Sequence, residues 1–178
     1  MMTRLGCTLP LMIGAALAGC ASIDKDEQIL TGRAPVCTGS IDLGTIYITL
    51  VTDWRSDQKA PQKRKQMAEE VIDKVFRSLP CGDYMGLHNP AGPEADTFVE
   101  ITLREFGPEF IISAPVLWSM NTDVDATIRI VDMRTNVETF AASQRHKNGG
   151  AFSVRPLSAV PAAFESMLNT WLIGPLDP

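Results

Sequence analysis

Between Thr97 and Phe106 apolar and polar residues alternate almost without a break. Val99, Ile101 and Leu103 stand against Glu100, Thr102 and Arg104. Such a run is a strand with one covered face and one face in water. The pattern returns from Val124 to Met133, where Val124, Ala126, Ile128 and Ile130 alternate with Asp125, Thr127, Arg129 and Val131. It returns once more from Val137 to Arg145. Arg134-Thr135-Asn136 joins these two runs as a hairpin, with Asn136 suited to a positive φ. The stretch His146-Lys147-Asn148-Gly149-Gly150 is expected to break the second of them.

Two amphipathic stripes supply cover for one face of such a sheet. Pro61 opens a helix to about Leu79, with Met67, Ala68, Val71, Ile72, Val75, Phe76 and Leu79 at helical spacing. Lys63, Arg64 and Lys65 lie in its first turns, against the helix dipole, and read as a solvated face. Ser158 is the expected N-cap of a closing helix to Leu172, whose stripe is Val160, Ala163, Phe164, Met167, Leu168 and Trp171. Ile41 to Thr52 is an earlier strand, rich in β-branched residues. Residues 80–93 form a Pro- and Gly-rich loop, with a short extended piece at Asp83-Tyr84-Met85. Residues 109–122 are apolar with mixed periodicity. The order is β-α-β-β-β-α. It predicts an α+β domain: a mainly antiparallel sheet with two helices packed on one face.

The first residues belong to an address. Arg4 precedes an apolar stretch from Leu9 to Leu17 that is too short to span ~30 Å of hydrocarbon but has the length of a signal-peptide core. Leu17-Ala18-Gly19-Cys20 follows at once. This resembles the lipobox of bacterial lipoproteins, which implies cleavage before Cys20 and acylation of its thiol. Ala21 in place of aspartate implies sorting to the outer membrane, with the domain facing the periplasm. The expected division is a signal peptide at 1–19, a polar lipidated tether at 20–36 and one domain at 37–178. A tether of that length reaches up to ~50 Å. Cleavage leaves 159 residues, enough for a core without metal. The full chain carries 16 basic and 21 acidic residues, net −5, which speaks against a nucleic-acid partner.

Cys37 and Cys81 remain after Cys20. In an oxidising compartment such a pair is an expected disulfide. The strand–helix layout brings them together, since a helix after a strand returns its end to the strand's start. The absence of CxxC spacing and the presence of only two histidines, His88 and His146, speak against a metal site.

The lipobox, the strand and helix that follow, Val99-Glu100-Ile101-Thr102-Leu103, Val124-Asp125-Ala126-Thr127-Ile128-Arg129-Ile130 and Gly149-Gly150-Ala151-Phe152-Ser153 before the last helix resemble the YajG-like family of bacterial lipoproteins. The topology is also similar to CsgG-type domains, penicillin-binding-protein activators and ABC-transporter auxiliary lipoproteins. The resemblance implies an accessory envelope protein and transfers no catalytic residue.

The sequence has no GxSxG, P-loop, HExxH or GxGxxG. Ser143 and His146 are close, but side chains three apart on a continuing strand face opposite ways. Asp53 and Asp57 read as loop solubility, and Asp123, Asp125 and Asp132 do not have calcium-loop spacing. The candidate partner-binding residues are Trp54, Trp118 and Met120, of types favoured at interfaces. The expectation is a non-catalytic, membrane-anchored envelope protein that docks on a protein partner and uses no cofactor. The alternative is a lipid- or glycan-binding module with a cavity above ~300 Å³ lined by 109–120.

Overall fold

The alternating runs become neighbours in one sheet. The computed structural model describes residues 25–32, 35–38, 41–54, 60–87, 94–107, 118–151 and 157–174, with the backbone alone over 25–32, 118–123 and 147–151. Its strands are β1 (Lys25–Gly32), β2 (Thr45–Thr52), β3 (Asp83–Leu87), β4 (Thr97–Phe106), β5 (Trp118–Asp132) and β6 (Val137–Ala151). Its helices are α1 (Pro61–Arg77) and α2 (Val160–Leu172). The sheet order is β1-β6-β5-β4-β2-β3. The three pairs from β1 to β4 are antiparallel, while β2 lies parallel to both β4 and β3. The chain is therefore α+β with a mostly antiparallel sheet, as its periodicities predict.

One face of the sheet holds the core. Ile46, Ile48 and Leu50 of β2, Val99, Ile101 and Leu103 of β4, Val124 to Ile130 at alternate positions of β5, and Phe140 and Ala142 of β6 are all buried. The helix stripes cover them: α1 lies over β3 and β4, and α2 over β5 and β6. Phe106 meets Phe164 edge to face, centroids 5.6 Å apart. Each such side chain contributes roughly 1.5–3 kcal/mol by leaving water. Lys74 and Glu165 bridge the helices at the surface at 2.6 Å.

Four local expectations are corrected. The tether holds a strand: β1 pairs along its whole length with β6, from Lys25↔Lys147 to Gly32↔Phe140. Its sequence KDEQILTG shows only Ile29-Leu30 as apolar signal, because an edge strand draws its stability from backbone pairing. Next, β6 does not break at His146 but runs on to Ala151, since β5 pairs with it throughout. The last five residues of 109–122 begin β5, and 109–117 lie outside the described residues. Finally, Ser158 does not cap α2. A single 3-10 turn, Leu157–Ala159, leads in, and Ala159 is the N-cap with no side-chain hydrogen bond.

The first strand is shorter than its β-branched run. Residues 41–44 form a bend in which Gly44 takes φ 61° and its N–H donates to Asp42 Oδ1. Asn136 closes the β5–β6 hairpin at φ 55°, as expected of its short polar side chain. Within the basic run of α1, Arg64 is buried rather than solvated, while Lys65 pairs with Glu69 one turn on at 3.6 Å.

Cys37 and Cys81 are joined by a disulfide, Cα atoms 5.5 Å apart. The joined segment is also held by α2: the N–H of Val36 donates to Trp171 O at 3.0 Å and that of Cys37 to Leu172 O at 2.7 Å. One short stretch thus ties the ends of both helices to the strand that precedes it. No helix among the described residues is long and apolar enough to cross a membrane.

Candidate functional site

The sheet face opposite the helices is uncovered, and its side chains are set by strand alternation and register. It reads in rows across the strands. Tyr47, Phe98 and Val131 form an apolar row near the hairpin end, with Val131 buried and the other two half-buried. The next row is Thr49, Glu100 and Arg129, where Arg129 Nε donates to Glu138 Oε2. Glu138 holds the Arg129 guanidinium above its usual pKa. Then come Thr102, Thr127 and Ser143, with a 3.2 Å hydrogen bond between the hydroxyls of Thr127 and Ser143.

The fourth row is charged. A β-bulge sets Arg104 and Glu105 together against Asp125 of β5, and Arg145 of β6 lies opposite Asp125. Arg145 Nη2 donates to Glu105 Oε2 at 3.3 Å, and its Nε is 3.4 Å from Asp125 Oδ2. Arg104 Nη1 reaches Asp125 Oδ1 at 3.4 Å and Thr127 Oγ1 at 3.1 Å. Glu27 of β1 stands in register with Arg145. Glu105 is buried to 3% exposure, and a carboxylate so placed needs its guanidinium partner. The face alternates fixed donors and acceptors at strand spacing. Such a surface suits a polar partner.

At the hairpin end, around the edge of the sheet, lies a cleft of about 250 Å³. Val36, Leu43 and Phe140 form its floor, and Asp42, Asp132, Arg134 and Thr139 its rim. Ile41, Met133 and Val137 stand exposed near it. Asp132 serves the turn: its Oδ1 accepts the N–H groups of Arg134 at 2.8 Å and Thr135 at 3.3 Å. The Arg134 N–H holds the Asp132 carboxyl below the usual range.

The residues singled out in the sequence fall in different places. Cys20 and Asp57 lie outside the described residues, as does the apolar stretch 109–117 of the expected ligand cavity. Trp54 is half-buried and packs against the core, so only part of its indole is open to a partner. Trp118 and Met120 occupy the start of β5, in register with Ala151 and Gly149. Ser143 and His146 sit three apart on the continuous β6, which sends them to opposite faces. No group of three or more His, Cys, Asp or Glu suited to a metal occurs among the described residues.

The Glu105–Asp125–Arg145 cluster went unforeseen. Its only trace in the sequence is the adjacent pair Arg104-Glu105 before Phe106, where the alternation slips by one residue. That slip is the bulge.

No family model and no curated protein matches the sequence. Among solved structures the chain is similar to the PelC dodecamer from Paraburkholderia phytofirmans. That likeness has a TM-score of 0.50 at 11% identity and spans 86% of this chain and all of that one. Lipoprotein GNA1162 from Neisseria meningitidis superposes at 0.44 with 13% identity, over 72% of this chain and 96% of that chain. A DUF330 protein from Xanthomonas campestris superposes at 0.41 with 13% identity, over 78% of this chain and 85% of that chain. At such identities the likeness to PelC is one of fold.

Proposed function

We propose that this chain is a lipid-anchored protein of the bacterial envelope, acylated at Cys20, that faces the periplasm from the outer membrane and works as a docking component. The observation that carries the reading is Leu17-Ala18-Gly19-Cys20 at the end of a short apolar stretch. Several acyl chains hold a protein to a bilayer where a single chain holds only marginally. The uncovered sheet face supports docking. Its ion pairs and hydroxyls are positioned to meet a polar surface, and Ser143 is turned away from His146. The YajG-like resemblance fits the same role. The likeness of fold to PelC, whose crystals hold a dodecamer, makes a second copy of this chain one of the partners to be sought.

The anchor is tested by feeding cells an alkyne-tagged fatty acid. The mature chain is expected to carry the tag, and Cys20→Ser to abolish it. An untagged chain with a free N-terminus beyond residue 20 would overturn the reading. Docking is tested by cross-linking in intact cells and mass spectrometry of the adducts. One dominant protein partner, joined through the uncovered face, is expected. Recovery of the chain with no protein attached would remove the docking role.

A further inference from the structure

The strand missed in the tether fixes how far the domain stands from its anchor. Only residues 21–24 separate Cys20 from Lys25, the first residue of β1. Five chain steps span at most about 17 Å. At that same end of the sheet β5 and β6 outrun their neighbours. Lys25 is in register with Lys147, and β6 continues four residues further to Ala151. At about 3.4 Å per residue this two-stranded ribbon passes the start of β1 by about 14 Å. The fully stretched linker therefore exceeds the ribbon by only about 3 Å. Any slack in it, or any tilt of the sheet, brings the ribbon to the surface that holds the acyl chains. An inverted domain would need the linker to run back past all eight residues of β1, about 27 Å, which it does not reach.

We infer that this ribbon, residues 118–122 paired with 147–151, rests on the headgroup layer of the leaflet that anchors Cys20. The inference depends on the lipid-anchor reading above. The ribbon's composition agrees independently. In a chain with 21 acidic residues, Trp118-Ser119-Met120-Asn121-Thr122 and Lys147-Asn148-Gly149-Gly150-Ala151 include none. Tryptophan and lysine are residue types favoured where bilayer meets water, and lysine is drawn to anionic headgroups. The hairpin turn around Thr135, with the cleft beside it, then points away from the membrane and toward whatever the domain meets.

The test uses the acylated full chain in nanodiscs of phosphatidylethanolamine and phosphatidylglycerol. A photoreactive residue is placed at Ser119, at Asn148 or at Thr135, and lipid adducts are counted by mass spectrometry. Adducts at 119 and 148 are expected to exceed those at 135 at least tenfold. A second measurement needs no substitution. With a gadolinium-chelating lipid in the disc, amide signals of 118–122 and 147–151 should broaden and those of 133–136 should stay sharp. Acyl chains present on Cys20 with equal adducts at the three sites and no selective broadening would overturn the inference alone. A chain whose Cys20 carries no acyl group would overturn the anchor reading and this inference with it.

Discussion

Two residues show how backbone conformation, more than side-chain type, sets what a position tolerates. Ala60, the N-cap of α1, sits at φ 49° and ψ 52°, a region that costs a residue with a Cβ about 1–2 kcal/mol. Gly107 sits at φ 108°, and a Cβ there would fall on the Arg64 guanidinium, whose Nη1 donates to Phe106 O. Burial lowers the pKa of that guanidinium, and the hydrogen bond offsets part of the cost of taking it from water. The two positions should therefore respond in opposite senses in urea denaturation. Ala60→Gly is expected to hold or raise stability by up to about 1 kcal/mol, strain relief outweighing the extra chain entropy of glycine. Gly107→Ala is expected to lose about 2–4 kcal/mol. Equal effects would show that φ is not what constrains these sites. Asp132 gives a pH prediction. Its carboxyl titrates below the ordinary aspartate value of about 3.9, so its contribution is present above that value. The contribution is lost as pH falls through the folded-state value. The hairpin-turn amides should become faster to exchange in that acid range, and Asp132→Asn should flatten the change.

At the level of elements, the sequence shows most where packing is one-sided. The stripe Ala68, Val71, Ile72, Val75 and Phe76 and the alternation from Val99 to Leu103 are buried as their periods require. A helix or strand against a single core has its pattern written by that core. The edges are different. The Lys25–Gly32 strand is held by its ladder to β6, and backbone pairing leaves little mark on side-chain choice. The far half of β6, through Gly149-Gly150, is strand for the same reason. The charged row was hidden because the bulge at Arg104-Glu105 shifts the phase by one residue, which a period of two cannot express. The disulfide was legible because a strand followed by a returning helix brings its ends together. It closes a 44-residue loop between segments also held by α2. Cys37→Ser with Cys81→Ser is expected to lower stability by up to about 4 kcal/mol, read as a lower urea midpoint with unchanged slope. A midpoint shift below about 0.5 kcal/mol would mean that the Val36 and Cys37 hydrogen bonds to α2 hold the segment unaided.

For the whole molecule, the covered face, the wet face and the two ends of the sheet have distinct surroundings. The helices occupy one side, ion pairs and hydroxyls the other. One end carries the protruding ribbon and the entry of the chain, the other the turn and the cleft. The pairing of β1 has a mechanical consequence for a chain anchored at Cys20. Tension on the acyl chains runs along the axis of β1, so the rungs of the β1–β6 ladder share the load in shear rather than parting one by one. A pull that did strip the strand would stop at the Cys37–Cys81 crosslink, before it reached β2. The free length would by then have grown from about 17 Å to about 60 Å. The same sixteen residues thus act as a short stiff mount under low force and a long leash under high force.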